Sequence, residues 1–334
     1  MARSRRQQSA IITAVERYLP DRVLSNRDLE KIVDTSDEWI RDRTGIAERR
    51  ILDGQPTSHM AVAVARQLLE ARQLDPGDLD LIIVATITPD MVFPATACLV
   101  QARIGAARAW AYDLSAACSG FVYALVAGAQ FIETGAHQRV MVIGADKMSA
   151  ITDMQDRSTC VLFGDGAGGV LLEGSDDPDV GLLDFELHAD GSRVDELNLR
   201  GGGSLNPASH DTVDQRLHYV RQEGRSVFKL AVQNMAEVSL SLLQRNGFSA
   251  ANLKLFVPHQ ANLRIITATA ERMGLSMDQV MVNIEKYANT TAGTVPIALS
   301  EACELGRLQR GDLVQLTAVG GGLTWGSALL RWAL

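Results

Sequence analysis

Three residues far apart in the chain have types suited to acyl chemistry: Cys118, His259 and Asn289. Cys118 stands in Asp113-Leu114-Ser115-Ala116-Ala117-Cys118-Ser119-Gly120, between an apolar run over 109–112 and a stretch over 121–133 with apolar residues at three- and four-residue spacing. The spacing predicts a short buried strand, a junction at the cysteine, then a helix. A thiol at the first turn of a helix faces unpaired N–H groups and partial positive charge, which predicts a lowered pKa and a larger thiolate fraction. Cys118 is therefore a candidate nucleophile. The competing reading is a small apolar group filling a core, the usual fate of a free cysteine. His259, after Pro258, reads equally as a hydrogen-bonded histidine at a strand end, and Asn289 as a helix cap.

An internal repeat sets the three apart from those structural readings. Leu253-Lys254-Leu255-Phe256-Val257-Pro258-His259 matches the strand pattern Leu79-Asp80-Leu81-Ile82-Ile83-Val84-Ala85, each preceded by a helical pattern and a turn. The run 280–282 leads to Asn289 and a helix near Ala292, as Tyr112 leads to Cys118 and its helix. Ala85 to Cys118 is 33 residues, and His259 to Asn289 is 30. Two such halves packed face to face bring equivalent strand ends together, so Cys118, His259 and Asn289 are expected to converge.

The elements that position them alternate strand and helix. Strands are expected over 11–15, 79–86, 140–143 and 170–172, and helices over 61–74, 95–104 and 227–244, with Asp75-Pro76-Gly77 as a breaker. The alternation predicts a mainly parallel sheet with helices on both faces. Residues 35–46 read as a charged loop and turn around Trp39. Phe163-Gly164-Asp165-Gly166-Ala167-Gly168-Gly169 lacks the strand-before, helix-after context of a dinucleotide fingerprint, so a tight turn between strands is expected. The polar stretch 174–218 reads as an irregular excursion with short strands.

Composition narrows the function. The 334 residues, 46% hydrophobic, with mean hydropathy +0.02, describe an ordinary globular chain. A net charge of −8 argues against nucleic acid as partner, since a basic face is its footprint. The basic opening Met1-Ala2-Arg3-Ser4-Arg5-Arg6 lacks the apolar stretch of a secretory signal and reads, over 1–9, as a disordered tail. Cys98, Cys118, Cys160 and Cys303 form no Cys-x-x-Cys pair, so neither a disulfide framework nor a metal site is expected. The cytosol is the expected compartment. No apolar run reaches the roughly 18 residues of a membrane helix, so no membrane association is expected.

With these residues in place, the chain resembles the thiolase-fold condensing enzymes, and specifically the β-ketoacyl-acyl-carrier-protein synthase III family. The resemblance is carried by residues 35–46, 93–101, 113–125 and 163–168, by Pro258-His259-Gln260-Ala261-Asn262-Leu263-Arg264-Ile265, by 287–299 and by Gly320-Gly321-Gly322-Leu323-Thr324-Trp325-Gly326-Ser327. It implies an α/β thiolase-like fold of two duplicated halves, 10–175 with the nucleophile and 176–334 with His259 and Asn289, packed as a five-layered αβαβα sandwich. It also implies decarboxylative condensation of an acyl-CoA primer, acetyl-CoA or a similar short one, with malonyl-acyl-carrier protein, starting fatty acid synthesis. The alternative is a specialised starter or acyltransferase relative in secondary metabolism.

The same resemblance assigns residues. Cys118 accepts the acyl group, His259 and Asn289 bind the second substrate's thioester carbonyl, and backbone N–H groups of Cys118 and Gly321 form an oxyanion hole. Trp39 and Arg43 sandwich the CoA adenine, Arg157 assists, and Asn262 touches the pantetheine arm. Phe93 crosses a homodimer interface into the neighbour's acyl pocket. Lys229, Arg264 and Arg272 dock the carrier protein. No metal or cofactor is implied, CoA thioester being a substrate. Related enzymes are set aside by single residues: Gly320-Gly321-Gly322 lacks a thiolase's second cysteine, and Asn289 stands where elongating ketosynthases have histidine. Three positions depart from the family pattern: Ala288 for a usual Gly, Thr294 for a Ser and Glu271 for a Lys.

Overall fold

The computed structural model describes residues 8–334, which build two large sheets, two small two-stranded ones and the helices that cover the large pair. The first sheet holds β1 (Ser9–Tyr18), β2 (Leu81–Ala85), β3 (Trp110–Leu114), β4 (Arg139–Lys147) and β5 (Asp165–Ser175) in the order β1-β5-β4-β2-β3. The second holds β6 (Gly181–Ala189), β7 (Leu255–Pro258), β8 (Leu313–Gly320) and β9 (Thr324–Arg331) in the order β7-β8-β9-β6. The main helices are α1 (Asp37–Thr44), α2 (Thr57–Arg72), α3 (Thr96–Ile104), α4 (Gly120–Glu133), α5 (Gly224–Arg245), α6 (Leu263–Met273) and α7 (Thr294–Glu304).

The layering follows from apolar residues on both faces of the strands. Along β2, Leu81, Ile83 and Ala85 face a core shared with α4, α7 and the second sheet, while Ile82 and Val84 face α2 and α3. Such a strand is stable only between two covers, which is why its sequence runs continuously apolar. α4 and α7 fill the layer between the sheets, and α5 and α6 cover the outer face of the second. The result is the αβαβα stack of the thiolase-like fold.

The sheets are mixed rather than mainly parallel. β4–β2 and β2–β3 pair parallel, but β1–β5 and β5–β4 pair antiparallel. The glycine-rich stretch after Phe163 is not a turn, because Asp165–Gly169 already lie within β5. Its glycines serve close approach. A Cβ on Gly168 would lie 2.7 Å from the Ile297 backbone nitrogen, so α7 rests directly on the strand. The run 280–282 makes one isolated bridge, Phe256 with Val280, and no strand. Within the supposedly irregular 174–218 stands the nine-residue β6, paired along β9.

Residues 35–46, expected as loop, contain α1. Within the helix itself only Trp39 and Ile40 are strongly apolar, too few for a visible period. End signals shape the helix instead: Ser36 Oγ accepts the Trp39 N–H at 3.1 Å, Asp37 and Glu38 occupy the first turn, Arg41 and Arg43 the last, and Gly45 closes it at φ 79°. Of the stretch 1–9 read as a tail, residues 1–7 lie outside the described residues. Gln8 and Ser9 are held: the Gln8 amide donates to the Ile132 carbonyl at 2.8 Å, and Ser9 pairs with Ser175 in β1. Among the described residues no helix is long and apolar enough to cross a membrane.

Candidate active site

β3 delivers the chain to Ala116 and Ala117, and the 3-10 turn Ala117–Ser119 then carries Cys118 into α4. Ala117 takes a left-handed φ of 46°, an uncommon state for a residue with a Cβ, so the backbone turns sharply under the thiol. The second half staples this elbow. Ser119 Oγ donates to the Ala116 carbonyl at 2.7 Å and meets Thr324 Oγ1 at 2.8 Å. Gly320 lies so close that a Cβ there would stand 2.7 Å from the Cys118 nitrogen. Gly321, the next residue of that turn, lines the same cavity as Cys118.

His259 follows β7, its N–H donating to the Thr317 carbonyl of β8 at 2.8 Å. Asn289 lies in the loop before α7, its N–H donating to the Leu162 carbonyl at 3.0 Å. Both side chains are held on one side. Asn289 Oδ1 accepts the Thr291 N–H at 2.9 Å, which leaves the Nδ2 donors for a ligand. His259 Nδ1 lies 2.7 Å from Thr294 Oγ1, which leaves Nε2 as the free ring nitrogen. Thr294 Oγ1 also reaches the Thr291 carbonyl at 2.9 Å. With the hydroxyl proton on that carbonyl, Nδ1 carries the ring proton and Nε2 is a base; with it turned to Nδ1, Nε2 is the donor. Thr294, a departure at the sequence level, thus supplies the hydroxyl that orients the histidine.

Cys118, His259 and Asn289 line one cavity of about 620 Å³ between the halves, as the internal repeat predicts. Burial governs its electrostatics. It pushes the Cys118 thiol up to about 12, with the Asp146 carboxylate adding to the rise, and the His259 imidazole down to about 3. The expected low-pKa thiolate is therefore not the resting state. The helix end and the residue's own N–H favour the anion, but loss of water outweighs them. The resting pair is a neutral thiol and a neutral imidazole.

Trp39, on α1, carries the Arg157 guanidinium 4.1 Å above its ring centroid. Arg43, expected to sandwich the CoA adenine with Trp39, is exposed and turned toward Asp42 at 3.8 Å, and Arg157 is the residue facing the Trp39 ring. Asn262 lines the cavity and caps α6, its Oδ1 accepting the Ile265 N–H at 2.9 Å. Arg264 binds Asp42 at 3.0 Å and ties α6 to α1, so the wall continues from Asn262 toward Trp39. Arg272 lies 3.7 Å from Glu237. Lys229 is exposed on α5, and Arg225, one turn earlier, is exposed beside it and was not singled out from the sequence. Phe93 is 83% exposed at the tip of a loop with Met91 and Val92.

Ala288 explains another departure. It is buried, with φ 57° and ψ −158°, a region that a Cβ disfavours by about 1–3 kcal/mol. Replacing Ala288 by glycine is expected to raise the unfolding free energy by about 1 kcal/mol after glycine's own entropy cost. Urea denaturation checks this, and a lower midpoint at unchanged slope would contradict it.

Residues 112–191 match the family described as 3-Oxoacyl-[acyl-carrier-protein (ACP)] synthase III, and residues 243–332 match its C-terminal family. The chain is 57% identical over 327 residues to a beta-ketoacyl-[acyl-carrier-protein] synthase III of Chlorobium phaeovibrioides, covering 97% of this chain and 99% of that one. The crystal structure of 3-oxoacyl-[acyl-carrier-protein] synthase III from Aquifex aeolicus superimposes with TM-score 0.89 at 48% identity, covering 97% and 100% of the two chains. That of the Pseudomonas aeruginosa synthase III superimposes with TM-score 0.91 at 39% identity, covering 98% and 99%. A paired elbow thiol, buried histidine and asparagine on this fold, with likeness of that extent, place the chain in the β-ketoacyl-[acyl-carrier-protein] synthase III family of acyltransferases.

Proposed function

We propose that this chain condenses an acyl-CoA primer with malonyl-acyl-carrier protein, the first carbon–carbon bond of fatty acid synthesis, in two half-reactions that share one cavity. The observation that carries the reading is the meeting of a thiol with two side chains, His259 and Asn289, each tied on one edge and open on the other.

In the first half-reaction the Cys118 sulfur attacks the primer carbonyl, the bond to the CoA sulfur breaks, and the thiol proton ends on CoA. His259 Nε2 carries that proton between the two sulfurs. One thiol and one thioester become another thiol and thioester, so no net charge is created in a cavity that penalises charge. Backbone N–H groups of Cys118 and Gly321 receive the oxyanion.

In the second, the bond between the malonyl methylene and its carboxylate breaks, carbon dioxide leaves, and the electron pair passes into a thioester enolate. Asn289 Nδ2 and His259 Nε2–H donate to the enolate oxygen. The enolate carbon attacks the acyl group on Cys118, the bond to sulfur breaks, and the thiolate takes one proton from water. Ile87, Met148, Phe163, Leu197 and Val220 give the cavity an apolar wall that suits a short hydrocarbon primer.

The outer contacts follow from chemistry. The adenine of CoA takes the place that the Arg157 guanidinium holds on the Trp39 ring, with Arg157 moving out to cover the base's other face, while Arg43 offers charge to the phosphates and Asn262 meets the pantetheine arm. Lys229, Arg264 and Arg272, with Arg225, meet an acidic carrier protein, and Glu271 weakens that field. A homodimer is supported by β3, which pairs with β2 alone in its sheet, and by the exposed Met91, Val92 and Phe93 nearby. The chain works in the cytosol, where its four free thiols stay reduced.

Cys118→Ala is expected to lose acyl transfer from CoA yet still release carbon dioxide from malonyl-acyl-carrier protein. His259→Ala and Asn289→Ala should each lower carbon dioxide release by about 10²–10³. A folded Cys118→Ala protein without decarboxylation, beside a His259→Ala protein that keeps it, would overturn the assignment. Trp39→Ala and Arg157→Ala should raise KM for acyl-CoA several-fold and leave that for the malonyl carrier within about twofold. Equal rises in both constants would remove the nucleotide slot.

A further inference from the structure

Asp146, at the end of β4, is a fully buried carboxylate that the two half-reactions do not use. Its surroundings come from both halves of the molecule. On one oxygen it accepts the Ile87 N–H at 2.8 Å, the Thr88 N–H at 3.2 Å and the hydroxyls of Thr86 and Thr88 at 3.0 Å each, all from the segment after β2. On the other it accepts the Thr291 hydroxyl and the Ala292 N–H at 3.2 Å, from the loop that carries Asn289. Every partner donates. The Thr88 N–H is shared with Thr86 Oγ1 at 3.1 Å, but the Ile87 and Ala292 N–H groups can only donate and meet one oxygen each, so the site demands two acceptor oxygens there.

Thr291 is the residue on which this arrangement acts. Its φ is 50°, a left-handed state that a β-branched side chain disfavours, so something must hold it. Its hydroxyl, which also reaches the Thr290 carbonyl at 2.9 Å, and the next N–H rest on Asp146. Its own N–H holds Asn289 Oδ1, and its carbonyl receives the Thr294 hydroxyl that faces His259 Nδ1. Thr291 thus sets the orientation of Asn289, and one carboxylate sets Thr291; the Thr294 hydroxyl leaves the Thr291 carbonyl when it turns to His259 Nδ1.

We propose that Asp146 is a positioning residue for the carbon-dioxide-releasing half-reaction: through Thr291 it fixes Asn289 in the geometry that receives the enolate's charge. The carboxylate touches neither substrate nor reacting atom. It is costly to bury, and the same negative charge disfavours the Cys118 thiolate, so acyl transfer gains nothing from it. Its benefit falls on the second half-reaction alone. The inference rests on the reading of His259 and Asn289 as enolate donors.

The test is Asp146→Asn, assayed separately for acylation of Cys118 by acetyl-CoA, read by mass spectrometry, and for carbon dioxide release from malonyl-acyl-carrier protein. One amide oxygen can still serve Ile87 and Thr88, but the NH₂ then faces the Ala292 N–H and releases Thr291. Carbon dioxide release should fall by about 10² or more, with acylation within about threefold and the KM for the malonyl carrier little changed. Thr291→Val, which removes the hydroxyl alone, should show the same split, Thr291→Ser should retain more activity than Thr291→Val, and Asp146→Asn with Thr291→Val should be no worse than Asp146→Asn alone. If Asp146→Asn does not fold, Thr291→Val carries the test. Equal loss of both half-reactions, or additive effects in the double variant, would overturn the proposal. Unimpaired decarboxylation in Asp146→Asn and Thr291→Val, beside its loss in His259→Ala and Asn289→Ala, would overturn it and leave the donor assignment standing. Retained decarboxylation in His259→Ala would overturn the donor assignment itself.

Discussion

The cavity between the two sheets penalises charge, and the chemistry available to it follows from that penalty. Loss of water pushes the Cys118 thiol up to about 12 and the His259 imidazole down to about 3, so the resting groups are neutral. A neutral pair suits a reaction that passes an acyl group between sulfurs without net ionisation. The same burial strengthens hydrogen bonds from Asn289 and His259 to an enolate, because a buried donor acts in surroundings of low dielectric. The histidine also links stability to pH. Its folded pKa of about 3 lies below the ordinary 6.5, so the unfolded chain binds the extra proton and stability is lost as pH falls through that window.

Fixed hydrogen bonds make the neutral groups directional. Asn289 refers to Thr291, Thr291 to Asp146 on the opposite half, and His259 to Thr294. The elbow under Cys118 is likewise closed by Thr324 and the Gly320 turn from the second half. Each half therefore holds part of the other's site in place, and the interface between the sheets cannot loosen without disturbing both. Strained backbone at Ala117, Ala288 and Thr291 concentrates around this seam, where the surrounding packing is dense enough to hold it.

Much of this was legible in the sequence, for identifiable reasons. The buried strands β2 and β7 announced themselves by continuous apolar runs, and their repetition brought Cys118, His259 and Asn289 together before any geometry was known. Charge states were not legible, because a helix end can be read from spacing while desolvation depends on everything packed around it; the thiolate expected at Cys118 failed on that ground. α1 was hidden because its signals are a cap and charges at its ends, not a period. The strand role of Asp165–Gly169 was hidden because glycine, read locally, signals a turn, whereas here it admits α7 onto the strand. Asp146 left one trace, an acid closing an apolar strand, whose meaning needed partners some sixty residues before and 145 residues after it.

The claim on which the account turns is that the site works with an uncharged histidine. Nitrogen-15 NMR of the histidine-labelled protein, with His259 assigned by comparison with His259→Ala, measures this directly across pH 5 to 8. The account predicts a neutral His259 ring throughout that range, its resonances not moving with a titrating midpoint. A protonation midpoint near the ordinary imidazole value of about 6.5 would contradict it.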